Sequence, residues 1–273
     1  MSVQTEIDRI ITAVGAAYDA VEAKGGTAPA AQTIEGLAGA ISGIKSAPTT
    51  PYMEAEYIAE VDYDGETNHY IDRAKLYNHT VIYAYEFAFQ YCLNSLDFSD
   101  ASNNITVIES SAFQGAQVNG LVLPNTISIL GPACFAVAYI TTLTIPPLVT
   151  VLPEGAFSNI QPVYNNETGE ELPININIIL PQNLTKIGVF CFDGSSIKQI
   201  AIPDTVTEIG DRAFGYCYQL ASITCLAATP PALGFDAFSS DTAGFTIKVP
   251  AASVAAYKAA DGWKDYANYI VAM

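Results

Sequence analysis

Histidine occurs only twice in 273 residues, at His69 and His79, and tryptophan once, at Trp263. A chain this poor in the side chain that most often carries acid–base chemistry and metal ligation reads away from an enzyme, and no cofactor or metal is expected. Cations are scarce as well. Eleven Lys plus Arg face 28 Asp plus Glu, a formal net charge of −17 that repels nucleic acid and anionic membrane surfaces. No run of 18 apolar residues occurs, so no membrane insertion is expected. Glu6, Asp8 and Arg9 stand where a secretory signal needs an apolar stretch, and no such signal is expected. The five cysteines are odd in number and none lies in a CxxC pair, which fits passive packing better than a disulfide framework.

What the chain has is apolar residues in a repeat. Half of it is hydrophobic and 14% is charged, enough to bury a large core and to exclude disorder. Phe113, Phe135 and Phe157 lie 22 residues apart, as do Phe192 and Phe214, and each follows an Ala or Cys. The gap from Phe157 to Phe192 is 35, which is 22 plus an insertion of 13. Five, eight and ten residues after three of these phenylalanines come Val118, Leu121 and Leu123, then Ile140, Leu143 and Ile145, then Ile197, Ile200 and Ile202. Pro124, Pro146 and Pro203 close the three sets. In the inserted unit, counting back from Pro181 finds Ile178 and Leu180 but a polar Asn175, and the extra residues are placed around 161–172. Looser copies at Phe89 and Phe238 complete seven units.

Each unit reads as a strand ending at the proline, a polar turn, a second short strand, and a Gly-x-x-Ala-Phe segment expected to form one helical or 3₁₀ turn. No unit can bury its own apolar stripe, so units must stack with parallel strands about 4.8 Å apart and the phenylalanines as a spine. Residues 253–268 have helical spacing, with Val254, Tyr257 and Trp263 able to cover the last apolar layer as a cap.

The stretch IPDTVTEIGDRAFGYCYQLASI, residues 202–223, resembles the BspA-like class of bacterial leucine-rich repeats, and residues 249–273 are similar to the segment that often closes such arrays. The resemblance implies a β-rich solenoid of short parallel strands over residues 77–248, with a C-terminal cap over 249–273. It departs from the family at the Cys position, which only Cys92 and Cys217 occupy, while Ala116 and Ala138 stand there in two other units. The family includes adhesins, surface proteins and phage proteins, so the resemblance implies binding without naming a ligand.

Residues 1–45 are of another composition and read as a helical hairpin. Ile7, Ile11, Val14, Tyr18 and Val21 follow the spacing of a coiled-coil seam, which Gly25-Gly26 ends, and Ile34, Leu37, Ile41 and Ile44 mark a second short helix. The hairpin either caps the solenoid or anchors it, and the seam is the candidate anchor or oligomerisation surface. Residues 7–46 resemble the helical leaders of minor structural proteins and fibres of phages of Gram-positive hosts. That likeness implies a virion appendage, with other virion proteins as partners of the leader, a host-surface protein or glycan as target, and a homo-oligomer, a trimer among the options. The alternative is a bacterial surface adhesin.

Residues 46–76 read as a linker followed by a tyrosine-rich cap, for residues 52–91 hold eight of the sixteen tyrosines. These suit either a contact surface or, for Tyr83, Tyr85, Phe87 and Phe89, one face of an edge strand. Asp62-Tyr-Asp64-Gly65-Glu66 has the carboxylates of a calcium loop without its spacing and reads as a solvated turn. The candidate binding surface is the outward strand face, two and four residues before each proline: Gly120, Val122, Thr142, Thr144, Asn177, Ile179, Gln199 and Ala201, with Ser222 and Thr224 in the unit lacking a proline. It is small and neutral, unsuited to a charged ligand.

Overall fold

The structure, a computed structural model, describes residues 51–61, 67–89, 95–101, 103–118, 121–162, 176–238 and 244–273. The candidate seam residues Ile7, Ile11, Val14, Tyr18 and Val21, the loop 62–66, Cys92 and Gly120 lie outside them.

The spine is formed by Phe87, Phe113, Phe135, Phe157, Phe192, Phe214 and Phe238, stacked ring on ring with centroids 4.9 to 5.8 Å apart. All seven are buried, Phe238 the least so at 4% exposure. This corrects the first unit. Its spine residue is Phe87, whereas Phe89 points outward at 48% exposure beside Gly115.

Residues 84–89 form a turn rather than the expected edge strand, so Tyr83, Tyr85 and Phe89 are exposed while Phe87 goes inside. The Ala-Phe segments are not helical turns either. In every unit the residue two before the spine phenylalanine is left-handed, with φ of 47° to 60° at Tyr85, Ser111, Ala133, Gly155, Phe190, Arg212 and Asp236. The residue two after it is left-handed as well at Phe89, Gly115, Val137, Asn159, Gly194 and Tyr216. A side chain at such a position costs about 1–2 kcal/mol, which excludes a continued right-handed helix.

The compensation is a ladder between units. The spine N–H groups bond the next unit's carbonyls at 2.7 to 2.9 Å, from Phe113 to Cys134, Phe135 to Ala156, Phe157 to Cys191, Phe192 to Ala213 and Phe214 to Ala237. The left-handed residues make the flanking rungs, for example Arg212 N–H to Phe235 O at 2.8 Å and Gly194 N–H to Gly215 O at 2.8 Å. Four residues before the phenylalanine, units approach so closely that a Cβ on Gly210 would lie 2.6 Å from the Val189 nitrogen, and one on Gly234 2.3 Å from the Asp211 nitrogen. The glycine of the Gly-x-x-Ala-Phe pattern is therefore a close-approach position.

Two columns of parallel strands complete each unit. One holds Val81–Ile82, Val107–Ile108 and Ile129–Leu130, and further on Val151–Leu152, Lys186–Ile187, Glu208–Ile209 and Ala232–Leu233. The other is the strand before the proline, where Thr142–Thr144 pairs with Asn177–Ile179, and Gln199–Ile202 with Ser222–Cys225 and Thr246–Val249. The insertion falls later than expected. Gln161 pairs with Tyr139, and the buried Pro162 lies five residues after Phe157, where Ile140 lies after Phe135. The first apolar position is therefore filled by Pro162 and not by Asn175. The 13 extra residues are 163–175, outside the described part, and the repeat resumes at buried Ile176.

Both ends of the described array are covered. β1 (Tyr52–Val61) and β2 (Thr67–Tyr77) form an antiparallel hairpin, and β2 pairs in parallel with β3 (Ser95–Asp97), joining the hairpin to the solenoid sheet. A bulge after Glu56 shifts the register, which lets Ile71 and Ala74 both point inward despite their odd spacing. At the other end the helix is shorter than expected, six residues at Val254–Ala259 followed by a 3₁₀ turn at Trp263–Tyr266. Trp263 and Tyr266 pack on Phe238 with centroids 5.5 and 5.2 Å away, ending the stack. Their polar tips are satisfied, the Trp263 indole N–H donating to Pro231 O at 2.7 Å and the Tyr266 hydroxyl to Phe238 O at 3.2 Å. The Tyr257 hydroxyl likewise donates to Ala227 O at 2.9 Å. Strand Ile270–Ala272 then adds a last rung beside Thr246–Val249.

Candidate functional site

The strand before the proline alternates strictly. In Gln199–Ile202 the residues Ile200 and Ile202 are buried and Gln199 and Ala201 are exposed. The same parity holds in Asn177–Ile179, and in-register pairing aligns Thr142 with Asn177 and, in the next sheet, Gln199 with Ser222. Thr142, Thr144, Asn177, Ile179, Gln199 and Ala201 are exposed, and Ser222 and Thr224 half-buried.

Six of these eight come together. Asn177, Ile179, Gln199, Ala201, Ser222 and Thr224 line one depression of about 370 Å³, walled by Gln182, Pro203, Leu226 and Lys248. Thr142 and Thr144 share the sheet face but stand outside the depression. Pairing of Ser222–Cys225 with Thr246–Val249 brings Lys248 beside Thr224, and Lys248 stands two residues before Pro250, so the same count from a proline reaches it once this strand is taken as the last of the column. No carboxylate lines the depression, so in a chain of net charge −17 it is locally neutral to cationic.

His79 and the four described cysteines are structural. His79 is buried, its Nδ1 3.0 Å from Tyr77 O and its Nε2 3.2 Å from Glu86 Oε1, while Glu86 also accepts the Tyr83 N–H at 2.8 Å. Cys134, Cys191, Cys217 and Cys225 are free and buried. Burial pushes the Cys134, Cys217 and Cys225 thiols up to about 12 and Cys191 well above its ordinary range, the opposite of a reactive cysteine. Cys217 and Ser195 occupy the same place, three after the spine ring, and each donates to the preceding spine carbonyl, at 3.0 Å to Phe192 O and 2.6 Å to Phe157 O. Among the described residues no group of three His, Cys, Asp or Glu is placed to hold a metal, and no helix is long and apolar enough to cross a membrane.

The family model of the BspA type leucine-rich repeat region matches the chain in six copies, over residues 71–176 and 174–255. Similar solved structures include a leucine-rich repeat protein from Bacteroides ovatus (20% identity, 71% of this chain and 59% of that one, TM-score 0.36). A leucine-rich cell surface protein from Faecalibacterium prausnitzii is 19% identical over 62% of this chain and 57% of its own, with a TM-score of 0.29. The pneumococcal vaccine antigen PcpA is 16% identical over 70% of this chain and 64% of its own, with a TM-score of 0.30. The chain thus spans less than two thirds of the length of each. No curated protein matches it.

Proposed function

The chain belongs to the BspA-type leucine-rich repeat family, and from that premise we propose that it is a non-catalytic attachment module that holds a protein partner at a cell or particle surface through its strand face. The observation that carries this reading is the depression formed by Asn177, Ile179, Gln199, Ala201, Ser222 and Thr224. Its amides and hydroxyls lie on rigid, hydrogen-bonded strands beside exposed Ile179 and Leu226, a mixture that suits a neutral polypeptide surface with a few polar contacts. The inward apolar residues of the same strands, such as Ile178, Ile200 and Ile223, belong to the core, so substitution of the outward residues leaves that core intact. The description of the Faecalibacterium protein as a cell surface protein agrees with such a setting without bearing on it, since that likeness is one of fold alone.

A second reading is an appendage of a phage virion, attached through residues 1–45. It is supported by the seam spacing of Ile7, Ile11, Val14, Tyr18 and Val21 and by the leader's resemblance to phage structural proteins. On either reading the strand face meets the partner, and the two differ in what holds the amino-terminal end. Oligomerisation along the seam belongs to the second.

The test is binding of the fluorescently labelled full chain to intact bacterial and animal cells before and after protease treatment of the cells. Wild type is expected to bind untreated cells, and Gln199→Lys with Thr224→Lys is expected to lose that binding with an unchanged melting temperature. Binding that survives in the double variant, or absence of binding to protease-sensitive surface protein, contradicts the strand-face reading. Light scattering on the full chain and on residues 46–273 separates the two settings: a defined oligomer lost with the leader supports the virion reading, and a monomer in both contradicts it.

A further inference from the structure

The side of the solenoid formed by the phenylalanine turns carries a second feature, independent of the strand face. Left-handed positions favour Gly and Asn, and for a bulky side chain they are costly. Yet Phe190, with φ of 53°, and Tyr216, with φ of 51°, place aromatic rings there, and neither ring enters the core: they are 36% and 46% exposed. Phe235 at 71% and Tyr218 at 63% are more exposed still. Four large rings in the last three described turns are thus held in water, on backbone that resists two of them.

Their units are neighbours in the ladder. Phe190 N–H bonds Asp211 O at 3.0 Å, and Arg212 N–H bonds Phe235 O at 2.8 Å. Charged groups stand beside the aromatic residues. The Arg212 guanidinium lies over the Tyr216 ring at 5.3 Å, the Tyr216 and Tyr218 centroids are 6.0 Å apart at a 52° tilt, and an Asp211 carboxylate oxygen accepts the Phe235 N–H at 2.7 Å.

We propose that this ridge of Phe190, Arg212, Tyr216, Tyr218 and Phe235, with Asp211 beside them, is a binding site for a neutral glycan. Exposed aromatic faces suit the C–H faces of a pyranose ring, and an adjacent carboxylate and guanidinium pair with its hydroxyls in their own planes. The hydroxyls of a neutral sugar can pair with both charges as the ring covers them, which offsets their desolvation. An anionic polysaccharide meets a chain of net charge −17 and is repelled. The rigid ladder holds the rings in place before binding, so little ordering cost opposes a weak, repeated contact.

The test is native affinity electrophoresis of the full chain in gels cast with amylopectin, galactomannan, mixed-linkage β-glucan or hydroxyethyl cellulose, with alginate as the anionic control. At least one neutral polymer is expected to retard the wild type and alginate to leave it unretarded. Tyr218→Ala with Phe235→Ala is expected to weaken retardation at least tenfold without lowering the melting temperature, since both rings are exposed. Gln199→Lys with Thr224→Lys on the strand face is expected to change nothing, which separates this site from the attachment reading. No retardation by any neutral polymer, equal retardation of the ridge variant, or loss in the strand-face variant overturns the proposal, the first in favour of a protein partner for the ridge.

Discussion

Phe87 and Phe89 lie two residues apart in the first turn, yet one is fully buried and the other half exposed. The Ala-Phe signature favours Phe89, which follows Ala88, while Phe87 follows Glu86, a residue occupied in bonding His79 and the Tyr83 N–H. The sequence therefore marks the wrong ring, because the local signature reports the tight position before the spine and in this unit a polar bridge takes its place. Phe87→Ala should cost about 3–5 kcal/mol in urea unfolding, and Phe89→Ala less than about 1 kcal/mol. A reversed order places Phe89 in the spine.

The buried thiols give a second prediction at this scale. Their folded values lie above the unfolded value of about 8.5, so the folded state holds protons that the unfolded chain gives up. Stability from this source is complete below about pH 8.5 and falls as pH rises toward 12, by about 1 kcal/mol per thiol for each pH unit. Tyr257, also raised by burial, acts in the same direction. Chemical denaturation at pH 7, 9 and 10.5 checks the sign, which a Cys134→Ala, Cys217→Ala, Cys225→Ala variant should flatten.

Among the elements, the strands before the prolines were the most legible, because period-two alternation bounded by proline admits few other structures. The turns were not. A left-handed residue precedes every described spine ring and one follows six of the seven, but these are glycine only at Gly115, Gly155 and Gly194, so composition does not disclose them, and the inter-unit ladder that supports them has no local signature. The β1–β2 hairpin was missed although Asp64-Gly65 stands between two alternating runs, a pattern that signals a hairpin as readily as a cation loop. At the other end Trp263 and Tyr257 were legible as covering residues, while the short helix ends where Ala260 turns extended and Gly262 adopts a φ of 78°. The cap's role is measurable. Trp263→Ala uncovers the Phe238 face and leaves Pro231 O without its donor, so it should cost about 3–5 kcal/mol and promote end-to-end association visible by light scattering.

For residues 52–273 as a whole, structure and function divide between inside and outside. Among the described residues the buried apolar side chains belong to the spine, the two strand columns and the end caps. The exposed positions proposed for binding have a parity that the repeat dictates and an identity that it does not, and for that reason the strand face, Lys248 included, was legible as a surface while the aromatic ridge was not. The solenoid account rests on one physical claim, that hydrogen-bonded rungs at the spine join the units into a single cooperative stack. Native-state hydrogen exchange of the spine amides tests it. The account predicts that the N–H groups of Phe113, Phe135, Phe157, Phe192 and Phe214 exchange only through global unfolding, with one shared free energy. Exchange of any of them at the rate of the exposed strand-face amides would contradict it.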